Sequence, residues 1–278
     1  EKGKQWQRAL ALLQEMSSYG LPADARCYNA ALRACALQRD PSRGLSVLGS
    51  MREHGLKPDA LTYAAAISCC SRDEAEEGWS VALSLLEEMK REGVAPDLVT
   101  YGAAIAACSA AARWKEAVEV LDSMEAAGVT PDVVCYSSCI SALGRGDRCD
   151  EALGLLSKLE QHATVRPNAI AYNAAISACE RSGRWVDALR LFESMRSRGA
   201  ECAPNTVSLN AAISACEKGG QWQKAMELLE GYGSETSASS SLGRDAASYT
   251  AAMSALSTSA RLIADPSESE LQDVGERA

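Results

Sequence analysis

Eleven cysteines and two histidines are the side chains best suited to nucleophilic or metal chemistry in this sequence, and their spacing points away from both. Cys35, Cys70, Cys108, Cys179 and Cys216 recur at one phase of a repeat, as small buried residues packing as hydrophobes do. No Cys-x-x-Cys occurs, and the odd total fits free thiols in a reducing compartment better than a disulfide framework. Cys135 and Cys139 can share a helix face, with Cys149 and His162 as further conceivable ligands, but nothing else there has zinc spacing. No metal or other cofactor is therefore expected. His54 and His162 sit in or beside junctions without a nucleophile, and no Gly-rich phosphate loop, paired-carboxylate site or triad stands out. The chain is expected not to be an enzyme. One cationic pattern does recur. Arg72, Arg145, Arg181 and Lys218 share a phase near the ends of successive helices, where a positive charge suits the helix dipole and would also suit the phosphates of a bound strand. Leu37 and Ala110 interrupt that stripe, and Glu180 and Glu217 flank it.

The chemistry has to be positioned by helices. The 278 residues are 47% hydrophobic and 23% charged, rich in Ala and Leu, with eight Pro and one Phe. No apolar run approaches the length of about 18 residues that a membrane span needs, so no membrane partner is expected. The net charge of −9 argues against a polycation that coats nucleic acid by charge alone. The sequence opens at Glu1 with a pattern already under way, which reads as part of a longer chain, and any targeting segment would lie upstream.

Internal similarity dominates the rest, with a period of about 35 residues. Trp6, Trp79, Trp114, Trp185 and Trp222 mark one phase; Tyr28, Tyr63, Tyr101, Tyr136, Tyr172 and Tyr249 mark another, with Leu209 in the vacancy. The units run 25–59, 60–97, 98–132, 133–168, 169–205 and 206–245, preceded by a partial unit at 1–24 holding a second helix only. A degenerate unit follows at 246–264, and residues 265–278, with five acids and one base, form an acidic disordered tail. Extra residues fall between helices, at Arg72–Glu77 and Gly233–Gly243, where insertions do least damage. In unit 98–132, Tyr101, Ile105 and Cys108 give a first helix its apolar face, and Trp114, Ala117, Val118, Leu121 and Met124 give the second its stripe. Gly128 suits a left-handed helix end, Pro131 stops the chain from continuing as helix, and Asp132 can cap the next helix. The Trp phase reads as packing on the second helix. Two short helices cannot bury such faces alone, so the hairpins must stack. The fold class is all-α, a superhelical α-solenoid of helix–turn–helix repeats.

The junctions narrow the choice among helical repeats. Gly55-Leu-Lys-Pro-Asp-Ala-Leu-Thr-Tyr63, Gly93-Val-Ala-Pro-Asp-Leu-Val-Thr-Tyr101 and Gly128-Val-Thr-Pro-Asp-Val-Val-Cys-Tyr136 resemble the Gly-x-x-Pro-Asp-x-x-Thr-Tyr junction of pentatricopeptide-repeat proteins, in their P-type-like form. The Asn that often follows the Tyr is present in Tyr28-Asn29 and Tyr172-Asn173. The resemblance covers residues 1 to about 264 and implies a right-handed superhelix. It also implies sequence-specific binding of single-stranded RNA, one base per repeat, read by two or three side chains.

By that resemblance, the readers are the residue after the Tyr and the last residue of the unit. The pairs are Asn29 with Asp59, Ala64 with Asp97, Gly102 with Asp132, Ser137 with Asn168, Asn173 with Asn205, and Asn210 with Asp245. The second residue of each unit resembles the family's wedge between bases: Leu61, Val99, Val134, Ile170 and Val207, with Arg26 and Ala247 departing from the aliphatic norm. The family's pairing preferences imply a footprint U-N-N-A-Y-U, the units with Ala64 and Gly102 discriminating poorly. Each Asp or Asn of these pairs is also expected to cap the next helix, whereas Asn29, Asn173 and Asn210 are poorer helix formers than Ala and less easily explained by stability. The implied function is an RNA-binding adaptor acting on the processing, stability or translation of a chloroplast or mitochondrial transcript, with other RNA-processing proteins as further implied partners. A protein-binding scaffold is the alternative, given the acidic balance and the two blank pairs.

Overall fold

In the structure, a computed structural model, residues 5–37, 41–70, 78–162, 164–231 and 245–264 are described. Among them there are fourteen α-helices, one 3-10 turn at Ala200–Cys202, and no strand. Two compact units divide the chain, one ending at Ala142 and the other beginning at Leu143. The expected acidic tail at 265–278 and both insertions, at 72–77 with Arg72 and at 233–243, lie outside the described residues.

The first unit holds α1 (Gln5–Ser18), α2 (Ala25–Ala36), α3 (Pro41–Glu53), α4 (Ala60–Cys70), α5 (Gly78–Arg91), α6 (Leu98–Ala110) and α7 (Trp114–Ala126). The boundary falls inside α8 (Val133–Arg145). Along this unit α2, α4 and α6 pack in series; α3 lies against α2 and α4, α5 against α4 and α6, α1 against α2, and α7 against α6. The second unit repeats the scheme with α9 (Cys149–Gln161), α10 (Ala169–Arg181), α11 (Trp185–Ser197), α12 (Thr206–Lys218), α13 (Trp222–Gly231) and α14 (Ala246–Ala264). There α10, α12 and α14 form the series, with α11 against α10 and α12 and α13 against α12 and α14. The architecture is an all-α solenoid of helical hairpins.

The sequence pattern explains the packing. Tyr101, Ile105 and Cys108 are all buried, as are Ala117, Leu121 and Met124; Val118 is half-buried, and Val120 shares its place on the inner stripe. Burying a Leu or Met of this kind is worth about 1.5–3 kcal/mol, and a hairpin obtains it only when its neighbour covers the face. Tyr28, Tyr63, Tyr101, Tyr136 and Tyr172 are at most 3% exposed, whereas Tyr249 on α14 is 44% exposed. Ala104 and Ala107 on α6 are buried as well.

The tryptophans depart from full burial. Trp79, Trp114, Trp185 and Trp222 are each half-buried, and the side chain of Trp6 lies outside the described residues. Two of them have their neighbours at junctions between helices. A Cβ on Gly219 would fall 2.2 Å from Cδ1 of Trp185, so that indole sits directly on the end of α12. The Arg113 guanidinium covers the Trp79 ring at 4.2 Å, a cation–π contact.

Turn chemistry closes the hairpins. Gly128 has φ of +77°, with its N–H bonded to the Glu125 carbonyl at 3.0 Å and the Val129 N–H to Met124 at 3.1 Å. That is the paired-bond helix end that glycine favours. Gly55 and Gly93 repeat it.

Candidate nucleic-acid interface

Each first helix starts immediately after a polar residue supplied by the preceding junction, because proline stops the earlier chain and a short acceptor satisfies the new helix's amides. The Asp59 carboxylate accepts from Thr62 N at 2.8 Å, Asp97 from Thr100 N at 2.9 Å, and Asp132 from Cys135 N at 2.8 Å. Asn168 Oδ1 accepts from Ile170 N and Ala171 N at 3.0 and 3.2 Å, Asn205 Oδ1 from Ser208 N at 3.0 Å, and Asp245 Oδ1 from Ser248 N at 2.9 Å. All six junction residues are therefore caps.

Three of these caps also meet a side chain from the preceding first helix. Asn29 Nδ2 donates to Asp59 Oδ1 at 3.5 Å. Asn173 Nδ2 donates to Asn205 Oδ1 at 3.3 Å. Asn210 Nδ2 spans both oxygens of Asp245 at 3.1 and 3.2 Å. The stacking of first helices thus brings together residues about one repeat apart, with an amide on one side and a cap on the other. Ala64 and Gly102 bring no side-chain polar group to Asp97 and Asp132. Ser137 is buried and donates to the Val133 carbonyl at 2.6 Å, one turn back on its own helix.

The Asp59 and Asp245 carboxylates stay ionised at neutral pH. Burial opposes the charge on Asp59, but the bonds from the Thr62 hydroxyl and amide and from Asn29 outweigh it and hold its pKa below the ordinary value. Asp245 is lowered by the Ser248 amide and hydroxyl, with help from Asn210. The Thr62 amide and Asn29 donate to Asp59 Oδ1, and the Thr62 hydroxyl shares its one proton between that atom and Asn29 Oδ1, each 2.7 Å away; among the described residues no bond falls on Asp59 Oδ2.

Beside each of the first five caps stands an exposed aliphatic side chain. Leu61, Val99, Val134, Ile170 and Val207 are between 55% and 61% exposed, an unusual setting for five large apolar residues at one phase of a helix start. The cationic stripe is less uniform. Arg145 and Arg181 are exposed, but Lys218 Nζ lies 3.0 Å from Glu180 Oε1, which also accepts from the Ser214 hydroxyl at 2.9 Å. One member of the stripe is thus neutralised by a carboxylate of the preceding unit.

The third helical position was not singled out by sequence reasoning. Thr62, Ser208 and Ser248 place a hydroxyl beside the cap, and Thr62 and Ser248 also bond the Asn amide of the preceding unit. The spacing of cap, two residues, then Ser or Thr carries this signal in plain sight. The cysteines offer no comparable chemistry: burial pushes the thiols of Cys108 and Cys135 up to about 12 and that of Cys216 to about 11. No group of three or more His, Cys, Asp or Glu side chains among the described residues could hold a metal ion.

Comparison with known proteins follows the same lines. The family model described as the pentacotripeptide-repeat region of PRORP matches residues 1–148, and the pentatricopeptide-repeat model matches 170–199 and 207–231. No curated protein matches the sequence. Among solved structures, the maize pentatricopeptide repeat protein PPR10 is 21% identical with a TM-score of 0.60 over 98% of this chain and 42% of its own. The same protein with an 18-nt psaJ RNA element is 22% identical, TM-score 0.54, over 90% of this chain and 40% of that one. The pentatricopeptide-repeat domain of Arabidopsis thaliana protein-only RNase P 1 in complex with tRNA is 18% identical, TM-score 0.52, over 61% of this chain and 88% of that domain. The chain spans about two fifths of the length of PPR10. With more than half its length matched by the repeat-region model and further repeats beyond, the chain belongs to the pentatricopeptide-repeat family.

Proposed function

We propose that the protein is a sequence-specific adaptor for single-stranded RNA that takes one base per repeat. The observation that carries this reading is the coincidence, within single repeat steps, of three features. At the Asn29–Asp59 and Asn173–Asn205 steps an Asn amide is held against the next unit's cap, the cap's second polar atom has no hydrogen bond among the described residues, and an exposed aliphatic side chain, Leu61 or Val207, stands beside it. A free Watson–Crick edge needs donors and acceptors at fixed positions, and a splayed base needs an apolar surface to lie on. The solved relatives that hold an RNA element or a tRNA support RNA as the class of partner.

On this reading units 25–59, 60–97, 98–132, 133–168, 169–205 and 206–245 follow successive bases. Asn29 with Asp59 and Asn210 with Asp245 take uracil, Ser137 with Asn168 adenine, and Asn173 with Asn205 a pyrimidine; Leu61, Val99, Val134, Ile170 and Val207 separate the bases. Arg145 and Arg181 carry the phosphate contacts, with Arg72 and Lys218 as further members of that stripe. The protein acts as an adaptor and not an enzyme, a reading supported by thiols held protonated and by family likeness that lies in repeat regions. Its transcript is organellar, in chloroplast or mitochondrion, and other RNA-processing proteins join it there.

The test is direct binding. A single-stranded RNA containing U-N-N-A-Y-U should bind more tightly than the same RNA annealed to its complement, and more tightly than one with the specified bases permuted. Equal affinity for all three would refute the reading and leave the protein-binding scaffold.

A further inference from the structure

Asparagine is an ambiguous reader. Rotation about its last side-chain bond exchanges a carbonyl oxygen for an amino group of almost the same shape, so an unrestrained amide offers donor or acceptor indifferently. In the first pair the ambiguity is removed by a third residue. Thr62 is fully buried, and its hydroxyl lies 2.7 Å from Asn29 Oδ1 and 2.7 Å from Asp59 Oδ1. Asn29 itself is 5% exposed, and its own bond to Asp59 is long at 3.5 Å, so the hydroxyl is the tighter of its two restraints. If the amide turned over, its oxygen would face the Asp59 carboxylate and the favourable contact would become a repulsive one. The same arrangement recurs at the other Asn–Asp pair, where the Ser248 hydroxyl donates to Asn210 Oδ1 and lies 2.9 Å from Asp245 Oδ1.

We propose that the hydroxyl at the third helical position, Thr62 in one unit and Ser248 in another, is a positioning residue for base recognition. It fixes which edge of the Asn29 or Asn210 amide is presented. The inference rests on the base-reading function proposed above. The remaining pair supplies a contrast within the same molecule. There Ser208 turns its hydroxyl to the Asn205 carbonyl at 2.8 Å, and Asn173 Oδ1 is buried without a hydrogen-bond partner. A second contrast separates positioning from capping. Thr100 bonds Asp97 through its hydroxyl at 2.6 Å and its amide at 2.9 Å, as Thr62 bonds Asp59, but the preceding first helix offers Ala64 and no amide to orient.

The experiment measures the affinity ratio between RNAs that differ only at the base taken by Asn29 and Asp59, for wild type, Thr62→Val, Thr62→Ser and Thr100→Val. Thermal stability is recorded for each. Both valine variants lose a cap-side hydroxyl and should lose stability, Thr62→Val the more because it also leaves the buried Asn29 oxygen without that donor. Only Thr62→Val should lower the preference for uracil, by roughly two- to tenfold, the worth of one net hydrogen bond. Thr62→Ser should restore it. Unchanged discrimination in Thr62→Val, or an equal fall in Thr100→Val, would overturn the positioning role while leaving base reading intact. A wild type indifferent to the base would overturn the reading itself, and this inference with it.

Discussion

Asn168→Asp is the substitution that most cleanly separates recognition from folding. Asn168 caps α10 through Oδ1 alone, accepting from two backbone amides at 3.0 and 3.2 Å. Among the described residues its Nδ2 makes no hydrogen bond, so that amino group is left as a donor. A carboxylate in its place keeps the capping oxygen and replaces that donor with an acceptor. Asp and Asn are comparable caps, and a negative charge at a helix start is favourable by about 0.3–1 kcal/mol, so stability should hold or rise slightly. The base opposite sees a reversed sign. Adenine presents N1 as an acceptor, whereas guanine presents N1–H, and a mismatched hydrogen-bond edge of this kind costs about 1–3 kcal/mol. The preference at that position should therefore move from A towards G by roughly five- to 150-fold in the ratio of affinities. Fluorescence anisotropy at fixed salt, on two RNAs differing only at that base, reads it. An A-to-G ratio identical in wild type and variant would refute the assignment of Asn168 as a reader.

Three other outcomes follow from the geometry. Replacing Arg145 and Arg181 together should weaken binding to all single-stranded RNAs alike and flatten the dependence of log affinity on log salt by up to about 0.7 per lost phosphate contact; an unchanged slope would leave these residues as helix-end charges only. Gly219→Ala places a methyl 2.2 Å from Trp185 Cδ1 and should cost about 1–3 kcal/mol in denaturant unfolding as an overpacked contact, while an effect within about 0.5 kcal/mol would mean the indole is not held there. The folded pKa of Asp59 lies below its unfolded value near about 3.9, so its contribution is present above that value and lost as pH falls through the folded one. Asp59→Asn should accordingly lose less stability than wild type on acidification below about pH 4, and parallel curves would contradict the hydrogen-bonded carboxylate.

The solenoid was legible because its determinants are local and periodic. Tyr101, Ile105 and Cys108 define a face by spacing alone, and Gly128, Pro131 and Asp132 stop one helix and start the next without help from elsewhere. What the sequence hid depends on the register between neighbouring repeats. Half-burial of Trp185 follows from its docking on Gly219, and that of Trp79 from the Arg113 guanidinium above it; neither partner is visible from the indole's own helix. Lys218 reads as a free cation until Glu180, in the preceding unit, is found 3.0 Å away. Thr62 and Ser248 carried a capping signal, but their second role needed Asn29 and Asn210 to be placed across the repeat step. Reader assignments came from resemblance; the structure adds the hydrogen bonds within three of the pairs.

The central claim, that successive repeats read successive bases, is tested most directly by selecting bound RNA from a random single-stranded pool. The account predicts an enriched six-base motif with U at its first and last positions, A at the fourth and a pyrimidine at the fifth. The second and third positions, opposite Ala64 and Gly102, should carry no information. A pool that stays random after selection, or a motif whose sharpest positions fall opposite Ala64 and Gly102, would contradict it.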